Sequence, residues 1–440
     1  MKSFYNSSFF RSLAEGLINP FLSLFALSLG ATKTMIGLVS SLPDIAGLFS
    51  QIFWGAVTEI SKKKTLVILG GMFWAILWIP ISQVTNPTSL IILLIIQSVL
   101  SSISIPAWTC LLIQNSPSYK RGAITGYLNA FSGIGSLIGN LAGGLILNKF
   151  GFTPFLFYMI CFFGVMSRVA FLPVKETKTR NSFKIKNLLA KTFNFKQLKR
   201  DRKLMKFIRA MIFMNFAVSI AGPFFSIYTI QKLGGTKMDV ALVSAIGVIS
   251  SIIFYRTWGT IIDHLGKKTV MLSCIIPICF IPFSYAISKN MILVYIYTIA
   301  GQISWAGFNT ASFAYLSDII PKENISSNVV MYNLFTGLSQ SVAPFIGGVV
   351  ADMTSIWFVF MLSTVLRVLS IIFFERLEKS DGARHISMLH LAPEPFGLMY
   401  RFETFISTYS LALDGVRKES VKLVDYRRYL KKIRRIFQHE

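Results

Sequence analysis

The chain has 440 residues, of which 53% are hydrophobic and only 14% charged, with a mean hydropathy of +0.59. A water-soluble domain carries about 25% charged residues, so the composition excludes an ordinary soluble globule and points to the bilayer. The net charge of +25 would suit a nucleic-acid partner, but its placement argues against one. A hydrocarbon core ~30 Å thick needs ~20 apolar residues per helix. In chain order the apolar runs predict helices 1 to 6 at 7–29, 34–57, 65–84, 88–113, 121–147 and 152–173. Helices 7 to 12 follow at 207–231, 237–259, 268–287, 291–316, 325–351 and 354–375. The expectation is an all-α membrane protein of twelve transmembrane helices in two pseudo-symmetric six-helix bundles. Its parts are an N-terminal half (1–173), a linker (174–206), a C-terminal half (207–375) and a tail (376–440).

The basic residues set the orientation. Residues 173–206 hold twelve Lys and Arg against two acids, and the same side carries Lys62, Lys63, Lys64, Lys120, Arg121, Lys267, Lys268 and Lys322. The opposite loops hold only Lys33, Lys149, Lys232, Lys237 and Lys289. Both termini are therefore expected in the cytoplasm of a multi-pass plasma-membrane protein, and most of the positive charge is explained without nucleic acid.

The halves match when slid by 204 residues. Gly30, Lys33, Ser40, Trp54, Gly55, Lys63, Lys64 and Thr65 meet Gly234, Lys237, Ser244, Trp258, Gly259, Lys267, Lys268 and Thr269. Asn129, Phe131, Gly133, Gly143 and Gly144 meet Asn333, Phe335, Gly337, Gly347 and Gly348. One register held over several helices means duplication. Parallel repeats of this kind place a binding site between them at the midplane.

The loop after helix 8 reads Gly259-Thr-Ile-Ile-Asp263-His-Leu-Gly266-Lys267-Lys268, while the first half has Gly55, Glu59, Ser61 and Lys62-Lys63-Lys64. An ordinary positive-inside turn accounts for one such loop, but not for two in register. The stretch resembles the G-x-x-x-D-x-x-G-[RK]-[RK] loop of the major facilitator superfamily, and the resemblance covers residues 1 to about 375. It implies secondary transport by alternating access, with these two loops as cytoplasmic gating elements. Helix 5 carries Gly135, Gly139, Asn140, Gly143 and Gly144, similar to the G-x-x-x-G-P-x-x-G-G motif of the superfamily's exporters with asparagine for proline. Helix 11 keeps Pro344 before Gly347 and Gly348. Small residues four apart allow close helix crossing whatever the direction of transport. The superfamily's R-x-x-Q-G element is reduced here to Leu94-Ile-Ile-Gln97-Ser98, a departure from the usual drug–proton antiporter.

Charges inside spans are costly and so informative. Asp44 lies mid-span after Pro43 with no charge near it in sequence. It is the leading candidate for a coupling-ion (proton) site, the alternative being a cation on another helix. Glu15 is the second candidate, unless Arg11, one turn away, pairs with it. Arg168 is expected to snorkel, as is Arg367 unless it meets an anionic substrate; Asp318 is expected to pair with Arg256 or Lys322. The resemblance implies a cavity lined by helices 1, 4, 7 and 10. Polar and aromatic candidates on these and neighbouring helices are Asn19, Gln97, Trp108, Asn129, Asn215, Tyr228, Gln302, Trp305, Asn309, Asn333, Gln340 and Arg367. Few of these are fixed charges, which suits a neutral, amphipathic or hydrophobic small molecule.

In the tail, Leu423, Tyr426, Leu430, Ile433 and Phe437 recur at helical spacing with basic residues on the other faces. This predicts an amphipathic helix on anionic inner-leaflet lipids or, equally, a solvated or partner-binding helix. Cys110, Cys161, Cys274 and Cys279 sit in apolar runs without metal-ligand spacing, no cofactor or metal is implied, and no phosphate-binding loop marks ATP-driven pumping. No enzymatic constellation stands out, no cleavable signal peptide is evident, and a monomer is expected. The leading function is ion-driven efflux of a small organic molecule. The alternatives are nutrient uptake (a sugar or organic acid) by symport or uniport, and a transporter-like sensor or scaffold.

Overall fold

Every regular element of the described residues is helical. The computed structural model describes residues 1–116, 121–174, 201–320 and 325–378, less the side chains of 59, 60, 121–123, 256, 260, 263, 264 and 325–327. All of them belong to one unit, Met1–Ala383. The tail, with the amphipathic helix expected there, and most of the linker lie outside the described residues.

Twelve crossings follow one another. α1 is divided: Lys2–Gly16, a 3-10 turn Asn19–Phe21, then Leu22–Ser28. α2 is Lys33–Ile60, and α3 runs Lys63–Ile76 with a short continuation Trp78–Ile81. α4 is Pro87–Ser101 continued by Ser104–Asn115, α5 is Arg121–Phe150 and α6 is Pro154–Phe171. α7 is Arg202–Ser219 with Phe224–Gln231, and α8 is Lys237–Leu265. α9 is Lys267–Ile287, α10 Met291–Ile319, α11 Ile325–Met353 and α12 Ile356–Glu375. Eleven spans among the described residues are long and apolar enough to cross a membrane; α1, cut into 15- and 7-residue helices, is not one of them. Three boundaries differ most from the sequence expectation: α8 runs six residues further, to Leu265 rather than 259, and two helices start early. α1 starts five residues earlier, at Lys2 rather than 7, and α7 starts at Arg202 rather than 207, where Asp201 caps it by accepting from Leu204 N.

Local chemistry sets the ends. At the end remote from the lysine loops, Thr32, Asn86 and Ser355 cap α2, α4 and α12 through their side chains, and Thr236 with Asp239 forms a capping box on α8. Each satisfies a backbone N–H that a helix start leaves open. Outward-facing side chains such as Phe155, Phe162, Ile296 and Phe313 are more than half exposed, as expected of a surface that meets lipid.

The duplication is visible in bonds as well as letters. Trp54 Nε1 of α2 donates to Val99 O of α4 at 3.0 Å, and its mate Trp258 Nε1 of α8 donates to Ile303 O of α10 at 2.8 Å. The lysine loops are less alike. Gly266 alone joins α8 to α9, at φ 82° and ψ 150°, a region open essentially to glycine only. The first loop spends two residues, Ser61 and Lys62, both at negative φ. Gly266→Ala is therefore expected to cost ~1–3 kcal/mol and Lys62→Ala almost nothing. Thermal unfolding of the detergent-solubilised protein would show this, and equal midpoints for the two variants would refute it.

Within each half, glycines let helices touch backbone to backbone. A Cβ on Gly135, Gly139 or Gly143 of α5 would stand 2.3, 2.3 or 2.6 Å from Phe9 O, Leu13 O or Leu17 O of α1. Buried arginines lie behind the same bundles. Arg168 of α6 is 6% exposed and donates to Val67 O of α3 and to Ser167. It does not snorkel. Its aliphatic stem and guanidinium lie where a Gly71 side chain would be, so they are held inside the half. No disulfide joins any of the four cysteines.

Candidate functional site

The two breaks that divide α1 and α7 fall at matching places. Asn19-Pro20 interrupts the first and Gly222-Pro223 the second, and Asn19 and Pro223 are 204 residues apart. Proline lacks an N–H and leaves a carbonyl of the preceding turn unbonded. Inside a membrane such irregular backbone is tolerated where it lines a cavity. A cavity of about 380 Å³ does lie there, between the halves. From α1 it takes Asn19, Pro20, Leu22 and Ser23; from α7 it takes Ser219, Gly222, Pro223, Phe225, Ser226 and Thr229. α2 contributes Ser40 and Asp44, α8 contributes Val240, Val243 and Ser244, and Tyr285, Gln340 and Pro344 complete the wall. The wall thus offers six hydroxyls of Ser and Thr, two amides and one carboxylate, with no cationic side chain among its residues.

Asp44 is exposed to this space. Among the described residues no ion pair or hydrogen bond engages its carboxylate. It sits on α2 one turn beyond Ser40, whose repeat mate Ser244 lies on the opposing helix. Glu15 is placed differently: Arg11 Nε donates to it at 2.5 Å, and the Arg11 guanidinium covers the Trp74 ring at 3.5 Å. Of the two candidate coupling acids, one is free in the cavity and the other is committed to a cation.

Of the cavity candidates, Asn19 and Gln340 stand on the wall. Four others are spent elsewhere. Gln97 is buried and donates through Nε2 to Trp74 O, fastening α4 to α3. Trp108 stacks on Phe171 and meets Phe4 edge-on in an apolar cluster of the first half. Tyr228 is 8% exposed and packs on Phe360. Arg367, 2% exposed, donates to Ile278 O of α9; it neither snorkels nor faces substrate space. Asn215, Gln302, Trp305 and Asn309 are not on the wall either; Gln302 packs against Gly247 and Trp305 against Phe308. Asn129 and Asn333 are exposed one turn toward the lysine loops from Gly133 and Gly337. Those glycines face Ile252 of α8 and Leu48 of α2 in the other half, so the paired asparagines share the inter-half faces below the cavity.

The two ends of the cavity differ. At the end remote from the lysine loops the halves meet closely. A Cβ on Gly37 would stand 2.4 Å from Pro344 O, on Gly348 2.5 Å from Lys33 O, and on Gly144 2.3 Å from the Ala241 Cβ. Phe345 N of α11 donates to Ser41 Oγ of α2, and one apolar cluster, including Phe21, Ala31, Ile220, Phe224, Ala241 and Ala343, runs through both halves. Toward the lysine loops, Gly55, Gly126 and Gly259 have no neighbour within 4 Å of where a side chain would begin. Among the described residues the structure is sealed at one end and parted at the other.

The bonds of the lysine loops seen among the described residues stay within one half. Among the described residues Lys267 pairs with Asp318 of α10; the side chain of Arg256, an expected partner of that acid, lies outside them. Lys268 donates to Glu375 O at the end of α12 and to Leu377 O just beyond it, and Lys63 is 8% exposed. Lys203 and Lys206 bond Glu378, holding its carboxyl below the ordinary carboxylate range. The side chains of Glu59 and Asp263, and the whole of Lys322, lie outside the described residues.

Sequence reasoning missed the serines and threonine of α7, and it missed Ser40 and Ser244 although both stood in the repeat register. Hydroxyls inside apolar helices carry little signal, because each can return its proton to a carbonyl one turn back. Ser244 does so to Val240 O and Thr229 to Phe225 O. The usable clue was the paired proline breaks.

Comparison with known proteins bears on the architecture. Residues 4–307 and 210–397 match the sequence profile of the Major Facilitator Superfamily. The chain belongs to that superfamily. Major facilitator relatives include the Multidrug resistance protein MdtG of Salmonella paratyphi A and of Salmonella typhi, each 23% identical over 297 residues, covering 63% of this chain and 70% of the relative. Among solved major facilitator structures, the nucleoside transporter NupG superposes with a TM-score of 0.69 at 16% identity, over 85% of this chain and 98% of that one. A bacterial homolog of the human lysosomal transporter Spinster, in an inward-facing and occupied conformation, gives 0.68 at 9% identity, over 86% and 96%. At such identities the likeness is one of fold. The superfamily assignment makes this a multi-pass membrane transporter, and its two six-helix bundles enclose the cavity just described.

Proposed function

We propose that this transporter works by alternating access and uses a proton gradient, through Asp44, to expel a small organic molecule across the plasma membrane. The observation that carries the reading is a carboxylate, without a partner among the described residues, on the wall of a cavity between the two halves. An anion there is costly to keep and cheap to neutralise by a proton or by a substrate's positive charge. The hydroxyl and amide wall hydrogen-bonds neutral polar parts of a substrate, and Phe225, Tyr285 and the prolines supply apolar contact. Export is favoured by the name of the 23% identical relatives, which are multidrug resistance proteins. With the lysine loops in the cytoplasm, as the positive-inside rule requires, the parted end opens inward and the state is the one that loads from the cell interior. Asn129 and Asn333 then flank the entry.

Reconstitution into proteoliposomes tests this. With an imposed pH gradient, solutes from a panel of neutral and cationic amphiphiles, sugars, nucleosides and organic acids are followed. Proton-dependent movement of an amphiphile toward the acidic compartment is the expected result. Sugar or acid movement in the direction of the proton would replace export with symport.

A further inference from the structure

The seal at the end remote from the lysine loops contains a pair of bonds that the duplication relates. Lys33 Nζ, at the first residue of α2, donates to Ala351 O in the last turn of α11 at 2.8 Å. Lys237 Nζ, at the first residue of α8, donates to Leu147 O in the last turn of α5 at 3.1 Å. The lysines are 204 residues apart and so are the two acceptors. A cation is unfavourable at the positive start of its own helix and favourable at the negative end of another. Each lysine is thus poorly placed for its own helix and well placed for one in the other half.

The seams are not equal. Asp352, next to one acceptor, reaches across to the start of α2: its oxygens accept from Lys33 N at 3.2 Å, Thr34 N at 2.8 Å and Thr34 Oγ1 at 2.6 Å. Its repeat position is Asn148, and the start of α8 is served instead by its own Asp239. Of these two seams, the α2–α11 seam alone carries an acid that bridges the halves among the described residues.

We propose that Lys33, Lys237 and Asp352 form the latch that holds this end shut, with the α2–α11 seam as its stronger side. The latch rests on the alternating-access reading, but not on any substrate. While the three groups are engaged the halves stay closed here and parted at the lysine loops. Release frees three charged groups into water, where each is well solvated, so the latch can open without stranding a charge.

The test is hydrogen–deuterium exchange of the full-length protein in lipid nanodiscs, comparing Asp352→Ala and Lys237→Ala with wild type. Asp352→Ala is expected to raise exchange about tenfold, the scale of losing charge-assisted hydrogen bonds, both at 33–36 and at 144–151 and 237–243, the seam it does not touch. Exchange at 53–58 and 126–132, near the lysine loops, should fall as that end closes. Lys237→Ala should act in the same sense, more weakly, and reach 33–36. Faster exchange confined to the altered seam, with no change near the lysine loops, overturns the latch. If Asp352→Ala yields no folded protein, Lys237→Ala decides alone by the same criterion. The measurement contains no solute, so a protein that failed every transport assay would still answer it.

Discussion

Replacing Asp44 by asparagine is expected to abolish gradient-driven accumulation while leaving substrate exchange in place. One proton crossing a gradient of one pH unit releases ~1.4 kcal/mol, which sustains a concentration ratio of about ten for a neutral substrate. Asparagine matches the shape and hydrogen-bonding reach of the carboxyl group, but it does not titrate. The wild-type ratio should therefore be about ten under that gradient and the variant's about one. Counterflow, which needs only binding and the conformational cycle, should continue, because the wall residues around Asp44 are untouched. Glu15→Gln is the informative comparison. Glu15 is held by Arg11 beside Trp74, so its loss should reduce folded yield or turnover without flattening the pH dependence. An undiminished ratio in Asp44→Asn, with Glu15→Gln abolishing it, would move the coupling site to α1.

Much of the fold was legible because the bilayer leaves few options. Long apolar runs must be helices, and the 204-residue register carried through to equivalent bonds such as Trp54 to Val99 and Trp258 to Ile303. Asp44 was legible for the same reason, since a lone acid in an apolar run has little structural purpose. What could not be read was which polar residues a helix turns inward to its own bundle. Gln97 and Arg367 have the composition of binding residues, yet each donates to a carbonyl of a neighbouring helix in its own half. Helical periodicity does not separate these faces, because in a twelve-helix bundle a helix can be flanked by protein on several sides. The sequence marks the lysine loops as gating elements, and the side chains of their acids Glu59 and Asp263 lie outside the described residues. Among the described residues, charged groups bridge the halves at the far end, on Lys33, Lys237 and Asp352, residues that look in sequence like ordinary turn polarity.

Gly139→Leu is expected to prevent assembly of the first half. A Cβ there would lie 2.3 Å from Leu13 O and 3.0 Å from Gly16 Cα, and both obstacles are backbone of α1, so no side-chain rotation relieves them. α1 and α5 would have to separate along a seam that Gly135 and Gly143 also hold, opening contacts from Phe9 to Leu17. Inserting methylenes into a well-packed site already costs ~1–3 kcal/mol when neighbours can shift. Between two backbones in a membrane, where helix association depends on close packing, the cost is larger. Gly126→Leu on the same helix is the control. It adds the same side chain where nothing lies within 4 Å, and it gains ~1 kcal/mol of helix propensity. The measurement is monodisperse yield by fluorescence-detected size exclusion: near-complete loss for Gly139→Leu, wild-type yield for Gly126→Leu. Gly126 stands on α5 near the lysine loops, in the part of the inter-half opening that must close when the other end opens. A leucine there is therefore expected to slow turnover in a protein that folds normally, whereas normal turnover would mean that α5 and α8 do not approach each other at that level during the cycle.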